Sequence, residues 1–218
     1  MLIKNHEIKG VIFDLDGTLV DSCTVWAEVD RDFFKKRNMD VPSDYSKAIA
    51  HMGLDKAAIY TKERFNLPES TDEILEEWKN LSVHRYEQEV ELKSHAKEFI
   101  LYLYKNGIKL AVATANEPNC YEPCLKRHGI YEYFSFVENV RKFPNGKKTP
   151  DIYLDVANKL SLKPEECLVI EDIVVALKSA KSASFKTVAI YEKTCSEENL
   201  KKEISDIYIK DFIELIND

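Results

Sequence analysis

Short, unbroken apolar runs recur along this chain and stop at polar residues. Val11-Ile-Phe13 ends abruptly at Asp14, and the segment through Gly17 and Thr18 then reads as a turn. Similar runs occupy Lys109-Leu-Ala-Val-Ala-Thr114, Tyr133-Phe-Ser-Phe-Val137, Cys167-Leu-Val-Ile170 and Lys186-Thr-Val-Ala-Ile190, with a last short one at 207–209. Each has strand length and is mostly apolar on both faces. That pattern predicts strands covered by helices on both sides, as in a parallel sheet, rather than half-exposed antiparallel strands.

Between these runs the apolar positions follow a helical period. Phe99, Ile100, Leu103 and Tyr104 form one stripe ahead of Asn106-Gly107, and Thr149-Pro-Asp151 offers an N-cap, a proline at the first helical position and an acid in the first turn. Alternating strand and helix predict an α/β class with a mostly parallel sheet and right-handed crossovers. Residues from about 21 to 91 break the alternation. Val25, Val29 and Phe33 lie four apart, and Ile74, Leu75, Trp78 and Leu81 make a second face behind a capping box, Ser70 to Glu73. Some 70 residues without a strand is long for one crossover. A separate small helical domain at 21–91 is expected, with 1–20 and 92–218 forming the α/β core. Trp26 and Trp78, set at helical spacing among apolar neighbours, are expected in the core of the helical domain.

Composition narrows the functions open to such a chain. Its 218 residues are 44% apolar and 32% charged, enough for a sizeable core and too apolar for disorder. The formal charge of −7 leaves no footprint for nucleic acid or an anionic membrane surface, and no apolar run approaches the roughly 20 residues of a membrane span. Five cysteines at irregular spacing, without paired CxxC elements or a signal-like leader, fit a reduced cytoplasmic setting. Cys120 and Cys124 share a helix face but read as small packing residues. A monomer or weak dimer is the expected state.

Four polar points stand at or near the carboxyl ends of apolar runs: Asp14 with Asp16, Thr114, the pair Lys147/Lys148, and Glu171 with Asp172. Ligands of open α/β sheets bind in the crevice beyond those ends. Two carboxylates two residues apart can both point into a crevice, and beside a divalent cation one can stay ionised as nucleophile while its partner moves protons. An isolated Asp-x-Asp-Gly is more often a solvated turn, and an isolated Thr114 a strand-end threonine. What gives these residues weight is the full string Asp14-Leu-Asp-Gly-Thr-Leu-Val-Asp-Ser22 behind a buried strand, with the other points following in order.

The string resembles the first motif of the haloacid dehalogenase superfamily of phosphohydrolases. Thr114 at the end of a second strand, Lys147 ahead of Pro150-Asp151, and Glu171-Asp172 after 167–170 are similar to its later motifs, so the resemblance covers essentially the whole chain. It implies a Rossmann-like core with a helical cap domain between motifs one and two, as in phosphoglycolate phosphatases and beta-phosphoglucomutases. It further implies that Asp14 attacks phosphorus to give an aspartyl-phosphate, while Asp16 protonates the leaving alkoxide and later activates water. Magnesium would be held by Asp14, the backbone carbonyl of Asp16 and Asp172, with Glu171 as a further candidate. Thr114, the backbone amide of Ala115 and Lys147 would bind the phosphoryl group. Spacing to Pro150-Asp151 picks Lys147, and Lys148 stands where the family usually has proline. After Glu171-Asp172 the family commonly continues with serine and later glycine, whereas this chain has Ile173, Ala176 and Ser184.

The expected activity is magnesium-dependent hydrolysis of a small phosphorylated metabolite, with a sugar-phosphate mutase using the same intermediate as the alternative. Thr18 favours hydrolysis, because the mutases more often carry a bulkier aliphatic residue there. Asp16 argues against dehalogenation, a branch that works without magnesium and lacks the second aspartate. The cap is expected to close over the site and contribute selectivity, with His51-Met-Gly-Leu-Asp-Lys56 a candidate stretch.

Overall fold

The computed structural model of the chain describes every residue except Asn5, Ala50, His51, Gly53, Asn217 and Asp218, and gives the backbone alone at Lys47. Two compact units divide the chain: Met1–Cys23 together with Val90–Asp218, and Thr24–Glu89.

The first unit is an α/β layer structure. Its strands are β1 (Leu2–Ile3), β2 (His6–Glu7), β3 (Gly10–Phe13), β4 (Lys109–Thr114), β5 (Val137–Asn139), β6 (Cys167–Glu171), β7 (Lys186–Ile190) and β8 (Ile207–Ile209). β1 and β2 form a small antiparallel pair that the apolar pattern did not foretell. The other six form one parallel sheet in the order β5-β4-β3-β6-β7-β8. From β3 the chain goes first to β4 and β5 on one side, then returns to β6 on the other. β3 therefore borders the point where strand order reverses, the place where open sheets leave a crevice.

Both faces of the sheet are covered, and the period of two explains how. Ile12, Ala111, Ala113, Cys167 and Val169 belong to a buried cluster with Ile152, Tyr153, Val156, Ala157, Ala176 and Ala180 of the helices at Asp151–Lys159 and Val174–Ser182. Phe13, one residue on, points the opposite way. Its ring meets Phe99, Phe134 and Phe212 at centroid distances of 6.1, 6.0 and 6.3 Å. With apolar residues wanted on both sides, the strands read as unbroken runs.

The second unit consists of α1 (Val25–Lys36), α2 (Tyr45–Ile49), α3 (Leu54–Phe65) and α4 (Thr71–Gln88). α1 buries Val25, Val29, Phe33 and Phe34, and α4 buries Ile74, Trp78, Ser82 and Tyr86. Phe34 packs edge-on against Tyr45 and Phe65 at 4.9 and 4.8 Å. Ser70 and Glu73 close the capping box reciprocally, Ser70 N donating to Glu73 Oε2 at 2.7 Å and Glu73 N to Ser70 Oγ at 3.2 Å. The remaining helices, all in the first unit, are α5 (Ala96–Lys105), α6 (Pro118–Arg127), α7 (Asp151–Lys159), α8 (Val174–Ser182) and α9 (Glu198–Ile204). Among the described residues no helix is long and apolar enough to cross a membrane.

Four expectations need correction. Trp26 is not core: it is 46% exposed, because one step past Val25 it is turned about 100° off the Val25-Val29-Phe33 stripe. Trp78, on the stripe of Ile74, is buried. Tyr104, in the last turn of α5, is likewise exposed and meets Tyr133 edge-on at 5.0 Å. The run 133–137 is not a strand. A 3-10 turn takes Tyr131–Tyr133 and the sheet receives Val137–Asn139, while Phe134 and Phe136 spend their apolar surface on the core from a loop. Pro150 stands at the N-cap position of α7 rather than inside the helix, with Thr149 Oγ1 donating to Asp151 Oδ2 at 2.7 Å.

Phe13→Ala should therefore cost about 3 to 5 kcal/mol, through lost burial and the cavity left among three rings. Trp26→Ala should stay within about 0.5 kcal/mol. Urea unfolding of both variants checks this ranking.

Candidate active site

Strand register brings the candidate residues together. Phe13 pairs with Val112 of β4 and Ile170 of β6, so the chain leaves β3 at Asp14 beside the end of β6, and the Asp14 N–H donates to the Ile170 carbonyl at 2.9 Å. Glu171 ends β6 and Asp172 follows it. The carboxylate oxygens of Asp14, Glu171 and Asp172 lie within 4.8 Å of one another, and all three residues are buried.

A lysine is hydrogen-bonded into this cluster. Lys147, in the 3-10 turn Gly146–Lys148, donates to Asp14 Oδ1 and to Glu171 Oε1, the latter at 2.6 Å, while Lys148 is exposed to solvent. Burial works against the Lys147 charge, but Asp14 and Glu171 outweigh it and its pKa is raised. On the acids, burial and then the charge of Asp14 push Glu171 above the usual carboxylate range. Asp172 is raised for the same reasons, with Glu171 adding to the repulsion. Glu171 Oε1 is satisfied twice, by Lys147 and by the Tyr153 hydroxyl at 2.7 Å, whereas its Oε2 is buried without a hydrogen-bond partner.

Three crowded carboxyl groups beside the Lys147 ammonium, with an orphaned buried oxygen among hard oxygen donors, fit a divalent cation such as magnesium or calcium. Asp14, Asp172 and Glu171 would supply side-chain oxygens to it. The Asp16 carboxylate is outside this cluster.

Asp16 instead turns toward the end of β4. Ser22 Oγ donates to its Oδ1 at 2.6 Å, and Asn116 Nδ2 lies 3.2 and 3.0 Å from its two oxygens. Thr114 is fully buried, its Oγ1 accepts the Asn116 N–H at 2.9 Å, and the hydroxyl proton remains to be donated. Ala115 is exposed in the same turn. Of the six positions singled out for a selectivity role, His51 and Gly53 lie outside the described residues.

The loop from Asp14 to Val20 is held by the Leu15 carbonyl, which accepts from Thr18, Leu19 and Val20 at 3.2, 2.9 and 3.0 Å. Gly17 adopts φ +79°, and a Cβ there would stand 2.5 Å from Asp172 Oδ2 and 2.8 Å from Cys23 Sγ. Glycine is required on both counts. Burial, Glu192 and Asp172 push the Cys23 thiol up to about 12, which disfavours its thiolate.

Sequence reasoning assigned no role to Ser22, Asn116 or Tyr153. Ser22 lies in the first string and Asn116 two places past Thr114, so position hinted at both. Tyr153 carried no signal, because its ring serves the apolar face of α7 and only the hydroxyl tip reaches Glu171. Ile173 and Ser184 depart from the family pattern at sites where its residues would have a physical use. Ile173 is the N-cap of α8, in extended conformation with no side-chain cap, and Ser184 adopts φ +69° just past its end.

Comparison with known proteins bears on the family and the fold. The sequence profile described as haloacid dehalogenase-like hydrolase matches residues 11–190. The chain is similar to hexitol phosphatase B of Escherichia coli K12, 25% identical over 189 residues that cover 85% of this chain and 84% of that protein. A phosphorylated carbohydrates phosphatase of Thermotoga maritima is 27% identical over 190 residues, covering 83% and 84%. Among solved structures, a Thermotoga maritima protein provisionally assigned as a beta-phosphoglucomutase superposes with a TM-score of 0.85 at 22% identity, covering 96% of this chain and 97% of that one. At that identity the likeness concerns the fold alone.

Ile173→Ser and Ser184→Gly should each raise stability by about 1 kcal/mol, the first by supplying a cap and the second by relieving a left-handed backbone. Gly17→Ala should act oppositely, costing at least about 1 kcal/mol and displacing Asp172. Thermal melts of the three variants test both signs.

Proposed function

This chain belongs to the haloacid dehalogenase-like hydrolases, and from that premise we propose that it is a magnesium-dependent phosphatase that passes the phosphoryl group of a small phosphomonoester through Asp14 to water. The observation that carries the reading is the buried junction of Asp14, Lys147 and Glu171 with Asp172 alongside. A carboxylate suited to nucleophilic attack, a fixed cation and spare hard oxygens stand together at the carboxyl ends of the central strands β3 and β6.

In this reading Asp14 attacks phosphorus and the bond from phosphorus to the ester oxygen breaks. Asp16 gives its proton to the departing alkoxide. Water then attacks the aspartyl-phosphate, its proton passes to Asp16, and phosphate leaves with the Asp14 carboxylate restored. Lys147 pairs with Asp14 and offsets charge on the phosphoryl oxygens, and Thr114 and the backbone amide of Ala115 donate to those oxygens. A bound magnesium would supply charge neutralisation that lets one anion approach another. The residues 21–91 are proposed as the cap. The names of the two relatives above support sugar and sugar-alcohol phosphates as the substrate class.

The test is phosphate release from p-nitrophenyl phosphate and a panel of sugar phosphates. Chelation should abolish turnover and magnesium restore it; full activity in excess chelator would overturn the proposal. Isomerisation of a sugar phosphate with little phosphate released would make the enzyme a mutase. Lys147→Ala should lower kcat on the order of 100-fold or more, and Lys148→Ala far less. With Asp14→Asn no covalent intermediate should form. With Asp16→Asn it should accumulate and be found by quench and mass spectrometry on the peptide containing Asp14.

A further inference from the structure

Asn116 is tied at every backbone and side-chain group that bears on its orientation. Its N–H donates to Thr114 Oγ1 at 2.9 Å, its carbonyl accepts from Asn139 Nδ2 at the end of β5, and its Oδ1 accepts the Glu117 N–H at 2.7 Å. Glu117 is the N-cap of α6, so that last bond anchors the amide to the first turn of a helix. The amide cannot flip. Reversed, it would set its NH2 against the Glu117 N–H and its oxygen against the Asp16 carboxylate, losing two hydrogen bonds and creating two repulsions. Nδ2 is therefore fixed toward Asp16, 3.0 Å from Oδ2 and 3.2 Å from Oδ1. Ser22 Oγ, 2.6 Å from Oδ1, holds the carboxylate from the loop on the other side.

We propose that Asn116 is the positioning residue for Asp16, fixing the plane and place of its carboxylate for both proton transfers; this rests on the acid–base role given to Asp16 above. The arrangement has a mechanistic consequence. Thr114 and Asn116 belong to one three-residue turn and are hydrogen-bonded to each other, so the group that would bind phosphate and the group that would aim the proton carrier share one rigid support. Proton transfer demands donor and acceptor within about 2.6 to 3.2 Å, and a displacement of about 1 Å can cost on the order of 100-fold in rate. Asp16 is only partly buried on an otherwise buried turn, and donors fixed from two sides hold its carboxylate within that tolerance.

Two variants test this in the full chain with magnesium. Asn116→Ala removes the donor. Asn116→Asp keeps the shape and the acceptor for Glu117 N–H, and replaces the donor with an oxygen facing Asp16. With p-nitrophenyl phosphate, whose leaving group needs little acid, the first step should survive while hydrolysis of the aspartyl-phosphate slows about 10- to 100-fold. The readout is a pre-steady-state burst of nitrophenolate close to one per enzyme, followed by slow turnover with a lowered KM. With phenyl phosphate, which needs the acid, the burst should vanish and kcat fall by a similar factor. In an Asp16→Asn background, Asn116→Ala should change either rate by less than about 2-fold, since there is no proton carrier left to aim.

A residue that merely shapes the turn would disturb Thr114, raise KM and give no burst. That result overturns the proposal, as do unchanged rates in both variants or an equal loss in the Asp16→Asn background. If Asp16→Asn shows the burst and the Asn116 variants do not, the positioning role falls and the acid–base reading stands. If Asp16→Asn itself keeps full rates on both substrates, the acid–base reading falls and the role of Asn116 falls with it.

Discussion

Like charges gathered in a buried place are the constraint on which this protein depends. Asp14, Glu171 and Asp172 bring carboxylate oxygens within 4.8 Å of one another. At an effective dielectric of about 20, two unit charges at that separation repel by about 3 to 4 kcal/mol. No fold would accept this for stability alone. The parallel register enforces it, because Phe13 opposite Ile170 sets the next residues, Asp14 and Glu171, side by side. Residues buried on both faces of the sheet resist the slip that would separate them, since a one-residue shift exchanges the Ile12 face with the Phe13 face.

Lys147 relieves part of that repulsion, and its delivery is indirect. It comes from a turn that opens at Gly146 with φ +54° and leads into α7, the helix whose Ile152, Tyr153, Val156 and Ala157 pack on the sheet. Packing of α7 thus sets both donors to Glu171 Oε1: the Tyr153 hydroxyl directly, and Lys147 through the short connection ahead of the helix. The core and the charge cluster are one construction. A helix that shifted on the sheet would break the apolar cluster and unpair a buried carboxylate together, and the second is the costlier.

What the chain discloses in one dimension follows the same physics. Strands covered on two faces write themselves as apolar runs, so β3, β4, β6 and β7 were legible nearly to the residue. The charged residues at their ends stood out because several such polar points close buried runs in one order along the chain, where a single one would read as a solvated turn. The edge was not. Apolar residues at 133–137 serve a loop whose rings reach the core, and composition cannot distinguish that use from pairing. Helical stripes placed Trp78 inside, while at Trp26 proximity to the stripe was mistaken for membership of it. Asn116 and Tyr153 escaped for another reason: they act through hydrogen bonds from a side chain to a residue 100 places away for Asn116 and 18 for Tyr153, and no local pattern specifies such a partner.

The two aspartates of the first string show why a spacing of two is chemically useful. Asp14 follows directly from β3 and enters the buried cluster, where a lysine and two carboxylates fix its surroundings. Asp16 lies beyond the first bend of the turn closed by Gly17, is half-buried, and is hydrogen-bonded by Ser22 and Asn116. A group that must stay charged while attacking an anion is served by a fixed cation and a rigid, water-poor setting. A group that must take and return a proton is served by donors that hold its carboxylate in place and by contact with solvent. Had the two residues exchanged surroundings, each would be suited to the other's task. The proposed division of labour therefore does not rest on the order of two letters in a motif. It rests on the abrupt change of environment across one tight turn, which lets neighbouring residues of identical chemistry behave differently.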